Sequence, residues 1–108
     1  MYDVASGLAY DSLRRRGRLA MSIGGENRFG RVGSGALKHY AEAAQAARAE
    51  LSYEVCRAGM ASLAQEIPAH LAEVFDEMSA AGIPGTDELR GRLEGPIAEN
   101  CRQTLALL

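Results

Sequence analysis

The chain has 108 residues, 47% hydrophobic, 24% charged and 6% aromatic, with two Cys, no Trp and a formal net charge of -2. That length suits one domain with one modest core. No uncharged apolar run approaches the roughly 18 residues of a membrane helix, and two Cys are too few for a disulfide scaffold, so both of those classes are excluded.

The net charge conceals a strong segregation. Residues 14–38 carry Arg14, Arg15, Arg16, Arg18, Arg28, Arg31 and Lys38 against Glu26 alone, a net +6, whereas residues 39–108 carry five Arg against eleven acids, a net -6. A basic segment attracts phosphates or acidic surfaces whatever the total. A sequence pI near 5.7 is therefore compatible with a polyanionic partner.

In chain order, Val4, Leu8 and Ala9 lie on one side of a short helix that Gly17 interrupts. The positive charges follow this apolar stretch, which is not the order of a secretory signal. Met21, followed by the small Ser22, reads as an alternative start that makes the first twenty residues an upstream extension. Gly24, Gly25, Gly30, Gly33 and Gly35 then crowd together. Glycine at that density costs too much backbone entropy for the interior of a helix or strand. Residues 1–35 are thus expected to form a flexible or partly helical basic N-terminal arm without strands. Residues 36–108, rich in Ala, Leu, Glu and Arg, are expected to form an all-α bundle of three or four helices, the first of them long.

That first helix is predicted over Ala36 to Glu66, ending where Pro68 disfavours a helical Ile67. Leu37, Tyr40, Ala44, Ala47, Leu51 and Val55 form one apolar stripe. Tyr53, Cys56, Met60, Leu63 and Ile67 form a second, rotated by roughly a third of a turn. A helix with two successive faces sits between two layers of neighbours or bends near Gly59. Kept straight it would measure ~46 Å, against about 35 Å for a compact globule of this size. Such a projecting helix predicts a homodimer, or docking on another helical protein, through Leu37, Tyr40, Ala44, Ala47, Leu51 and Val55.

A second helix is predicted from Pro68, tolerated in a first turn, to Ala81, with Leu71, Val74, Phe75 and Met78 inward and Gly82 as its stop. Thr86 or Asp87 caps the last helix, with Asp87 and Glu88 at its positive end. Leu89, Leu93, Ile97, Cys101, Thr104 and Leu108 make its stripe. Gly95-Pro96 predicts a kink or a break into two short helices. Glu88/Arg92 and Glu99/Arg102 stand at ion-pair spacing.

The chemistry-bearing residues are sparse. Cys56 and Cys101 fall on apolar faces and read as small buried hydrophobes. No Cys-x-x-Cys or His/Cys cluster offers a structural zinc site. His39 with Glu42, and His70 with Glu73, each share a helix face, but their order is the reverse of the Glu-x-x-His of di-iron bundles. They read as solvated faces. Gly30-Arg31-Val32-Gly33-Ser34-Gly35 before a helix places backbone N–H groups near Arg28, Arg31 and Lys38, as a phosphate site requires. It lacks both the Lys-Ser/Thr of a P-loop and the strand of a dinucleotide unit, and reads as a hinge.

The expected function is accordingly a non-enzymatic, self-associating interaction or regulatory module, with no metal, cofactor or membrane partner. One alternative is a nucleic-acid-binding accessory protein that neutralises phosphates with residues 14–38. The competing role of that arm is docking on an acidic helical surface. Another alternative is a metal-binding or catalytic helical subunit using His39, His70 and nearby carboxylates. Two Cys without a secretion signal point to the reducing cytoplasm.

Overall fold

The computed structural model describes residues 10–108; residues 1–9, and with them the reading of Val4, Leu8 and Ala9, lie outside it. A short helix α1 (Asp11–Arg16) leads into strands β1 (Arg18–Ile23) and β2 (Glu26–Arg28), then a single 3-10 turn (Phe29–Arg31). Helices α2 (Ser34–Ala46), α3 (Tyr53–Ala80) and α4 (Thr86–Leu107) follow. The described chain is mostly helical, and its largest helix pairing is α3 against α4.

The α3–α4 pair forms as its sequence dictates. After the cap Ala81, Gly82 takes φ 68°, and Gly82 N donates to the Ser79 carbonyl at 3.0 Å while Ile83 N donates to that of Met78 at 3.1 Å. This left-handed stop satisfies carbonyls that the helix end would otherwise orphan. Gly85 caps α4, and the Thr86 hydroxyl donates back to the Ile83 carbonyl at 2.7 Å, so neither Thr86 nor Asp87 is the cap residue. Phe75, 2% exposed, lies under the Arg90 guanidinium of α4, 5.8 Å from the ring centre, and Ala64 and Cys101 are buried further along the pair, while Leu71, Met78, Leu93, Ile97 and Thr104 are half-buried. Val74 and Leu89, both expected inside, are 50% and 41% exposed.

Three expectations are overturned. The first is the strandless arm. Leu19, Met21 and Ile23 alternate along β1, and Gly24 and Gly25 take φ 57° and 86°, the pair of positive angles that a two-residue hairpin turn needs. The strands pair antiparallel, Arg18 opposite Arg28 and Ile23 opposite Glu26, with a register shift between. The hairpin packs on α2, and the 3-10 turn packs on α4, where Gly33 meets Leu107. Val32, Ala36, Leu37 and Ala41 form a second small core there.

The second is the continuous helix over 36–66. α2 ends at Ala46, with Arg48 in the left-handed region at φ 62°. Arg48 N reaches the Gln45 carbonyl at 2.9 Å and Ala49 N that of Ala44 at 2.8 Å, the same terminator built without glycine. α3 then restarts on Ser52, whose Oγ accepts from Val55 N at 3.2 Å, with Glu54 in the first turn. The long helix of the fold is therefore the 28-residue α3, about 42 Å at 1.5 Å per residue.

The third concerns the prolines: Pro68 lies inside α3 instead of bounding it, and Pro96 lies inside α4, which runs on through Gly95-Pro96 instead of breaking into two short helices. A mid-helix proline costs roughly 3 kcal/mol. Packing on both sides offsets it: Ala64 and Phe75 are buried around Pro68, and Cys101 is buried beyond Pro96. With so long a helix the radius of gyration is 15.9 Å, against about 13 Å for a compact domain of this length.

Candidate functional site

Two neighbouring features of the N-terminal half stand out, one cationic and one apolar. The first is a cleft of about 610 Å³ lined by Arg15, Arg16, Gly17, Arg18, Arg28, Gly30 and Arg31. The end of α1 supplies Arg15 and Arg16, the first residue of β1 supplies Arg18, and β2 with the 3-10 turn supplies Arg28 and Arg31. Five of the seven cations singled out in the sequence are thus brought to one place. The side chain of Arg14 lies outside the described residues. Lys38 stands apart on α2, its Nζ 5.3 Å from the centre of the Tyr53 ring.

The cleft's hydrogen bonds are made at its rim. Arg28 holds Glu26 through two bonds, Nε to Oε1 at 2.9 Å and Nη2 to Oε2 at 3.1 Å. Glu26 Oε1 also accepts from the backbone N–H groups of Asn27 at 3.0 Å and Arg28 at 2.9 Å. The Arg28 side-chain bonds, followed by its backbone N–H, hold the Glu26 carboxyl down at about 2, from an ordinary 4.5. The same contact raises Arg28. Arg18 Nη1 donates to Asn27 Oδ1 at 2.9 Å. Arg15, Arg16 and Arg31 have no carboxylate partner among the described residues. Asp11, itself engaged, lines an adjoining hollow with Ser12, Arg15 and Arg16.

The second feature is an apolar groove of about 620 Å³ lined by Leu19, Met21, Ser22, Ile23, Leu37, Tyr40, Cys56 and Met60. Met21 is 82% exposed, while Leu37 is 4% exposed at the floor. The groove opens onto α3. At about 100° per residue, Cys56, Met60, Leu63, Ile67 and Val74 fall within about 60° of arc. The residues packed on α4, Ala64, Leu71 and Phe75, lie about 70° further round. Leu63, Ile67 and Val74 are 61%, 40% and 50% exposed.

The expected self-association stripe is divided by the break after α2. Leu37 is core and Tyr40, Ala44 and Ala47 belong to α2 and its cap. Leu51 falls in the connection, and Val55, 62% exposed, begins α3. Of the second stripe, Cys56, Met60, Leu63 and Ile67 do share a face. Val74, expected inside, extends it. The exposed stripe was visible as apolar periodicity, but not which of two faces α4 would take.

Of the remaining candidates, Cys56 lines the groove and Gly30 the cleft, and the others sit apart from both. His39 Nδ1 lies 3.4 Å from Glu42 and His70 Nδ1 3.5 Å from Glu73, all four well exposed. No third ligand joins either pair, and among the described residues no group of His, Cys, Asp and Glu is arranged to hold a metal ion. Cys56 and Cys101 are free thiols, the first half-buried in the groove wall and the second buried, where desolvation raises its pKa. Gly33 of the glycine-rich segment is packed against Leu107 instead of facing a ligand. Among the described residues, no helix is long and apolar enough to cross a membrane. Comparisons with protein families, curated proteins and solved structures find no match.

Proposed function

We propose that this chain is a self-associating helical interaction module in which a second copy covers the exposed stripe of α3. The observation that carries this reading is the two-faced α3: one apolar face is filled by α4, and the adjoining one, Leu63, Ile67 and Val74, faces solvent. Apolar surface of that length is costly to leave in water. The buried core is correspondingly thin, with Phe75 and Leu37 its largest members among the described residues.

Charge selects a second copy over other occupants. Glu66, Glu73 and Glu77 flank the C-terminal half of the stripe at helical spacing, whereas the N-terminal half adjoins the arginine-bearing hairpin. A two-fold, antiparallel pairing of α3 with its copy brings each acidic half towards the hairpin end of the other without occupying the arginine cleft. It is also the isologous arrangement that closes without leaving a free patch.

Sedimentation equilibrium across a concentration series tests the proposal. The wild type is expected as a dimer at tens of micromolar. The double variant Ile67→Asp/Val74→Asp is expected to sediment as a monomer with unchanged helical circular dichroism, because both side chains are already solvent-facing in one copy. A wild-type monomer at high micromolar concentration, or a double variant that stays dimeric, refutes it.

A further inference from the structure

We infer that the arginine cleft is a binding site for the phosphodiester backbone of nucleic acid, a site separate from the apolar stripe. Five guanidinium groups converge there from four consecutive elements, and among the described residues the lining holds only arginine and glycine. Arg18 and Arg28 stand directly opposite one another in the β-ladder. Like charges at opposed positions weaken a sheet. Here the fold retains them, and Glu26 and Asn27 hold only these two from the rim. The cations of α1 and the 3-10 turn are left to face the opening.

Among the described residues the lining offers five guanidinium groups and two glycines, and that density of positive charge favours one class of partner. A protein docking site, even for an acidic surface, has an apolar centre inside a polar rim. A phosphate backbone needs none: its interfaces are more polar and far more positive than those between proteins. Arginine's planar fork grips phosphate oxygens in pairs, and Gly17 and Gly30 let the ligand approach the backbone closely. With one arginine held by Glu26, about four remain to neutralise phosphates. Among the described residues the only α-helix at the lining is the end of the six-residue α1, too short to read a groove, so the site binds without choosing sequence.

Fluorescence anisotropy with the full chain and a labelled 20-nucleotide mixed-sequence strand, alone and as a duplex, tests this. Four neutralised phosphates give a slope of log K against log salt near -3 for the strand and -3.6 for the duplex. Affinity is then expected to fall by about 50- to 150-fold between 50 and 200 mM salt. Arg15→Gln and Arg31→Gln should each weaken binding several-fold on every sequence and flatten the slope by about one. Glu26→Gln should strengthen binding several-fold, because it frees Arg28 and removes a negative charge while its amide oxygen still accepts the two backbone bonds. A variant that only damaged the hairpin would weaken binding instead.

The proposal is overturned by no binding at 50 mM salt, or by arginine variants that bind like the wild type. Weaker binding by Glu26→Gln also overturns it. So does displacement of the strand by millimolar inorganic phosphate at matched ionic strength, which would mark a single-oxyanion site. Equal affinity for polyglutamate or for vesicles containing 30% phosphatidylserine, with the same arginine dependence, assigns the cleft to another partner class and overturns it as well.

Discussion

Arg48→Gly tests the break between α2 and α3, on which the geometry of the groove depends. Arg48 sits at φ 62°, where its Cβ crowds the following carbonyl. That conformation costs an L-residue roughly 1–2 kcal/mol. Glycine removes the strain and adds about 0.5–1 kcal/mol of unfolded-state entropy, so the net effect is a stabilisation of about 0.5–1 kcal/mol. In a helix running unbroken from 36 to 66 the same substitution would cost about 1 kcal/mol. The two structures therefore predict opposite signs. Ser52→Ala provides a second reversal: losing the bond from Val55 N costs about 1 kcal/mol at a helix cap, whereas alanine would improve a helix interior. Urea denaturation at fixed protein concentration reads both as midpoint shifts at constant slope. A destabilised Arg48→Gly together with a neutral or stabilised Ser52→Ala would show that the helix is continuous and that the groove is wrongly drawn.

Gly24 and Gly25 separate turn strain from packing in the hairpin. A Cβ on Gly25 meets nothing within 4 Å, but one on Gly24 falls on the Ala36 carbonyl group, 2.8 Å from its carbon. Gly25→Ala is expected to cost about 1 kcal/mol from its positive φ alone. Gly24→Ala is expected to cost about 3 kcal/mol, since the hairpin must also leave α2 and uncover Leu37; equal losses of hairpin amide protection in hydrogen exchange would contradict this. Glu26 gives the pH dependence. Its folded pKa of about 2 lies below the ordinary 4.5, so its contribution is complete above about 4.5 and is lost as pH falls from there through 2. A carboxyl titration followed by NMR should place Glu26 near 2, and Arg28→Gln should return it towards 4.5.

How far the sequence discloses this fold depends on which signal is local. The α3–α4 turn was legible because Gly82 and Ile83 make a stop within a few residues, and the Phe75 face because its periodicity is uninterrupted. The hairpin was hidden by its own glycines: Gly24-Gly25 is a turn signal only when the alternation of Leu19, Met21 and Ile23 is weighed with it. The α2–α3 break was hidden because its left-handed residue is Arg48, not glycine, leaving Ser52 as the sole residue of a helix-capping type in an alanine-rich run. Pro68 misled for the opposite reason. Its local cost is certain, but the packing that offsets it comes from residues distant in sequence. The arginines were all visible as a composition bias. Their convergence was not, since it requires the hairpin to return β2 to the end of α1.

The hairpin also ties the two proposed surfaces together. Its strand alternation sends Leu19, Met21 and Ile23 to the groove while Arg18, paired with Arg28, lines the cleft. Whatever fixes β1 in register therefore fixes both. A second copy seated on the stripe and groove would hold the hairpin against α2 and reduce the ordering cost of placing guanidinium groups on a phosphate backbone. By linkage, nucleic acid in the cleft would tighten the dimer by the same factor. Gly24→Ala, which separates the hairpin from α2, should thus weaken both associations. Ile67→Asp/Val74→Asp should abolish the dimer while leaving every cleft arginine in place, so the strand affinity it retains measures the cleft without the coupling.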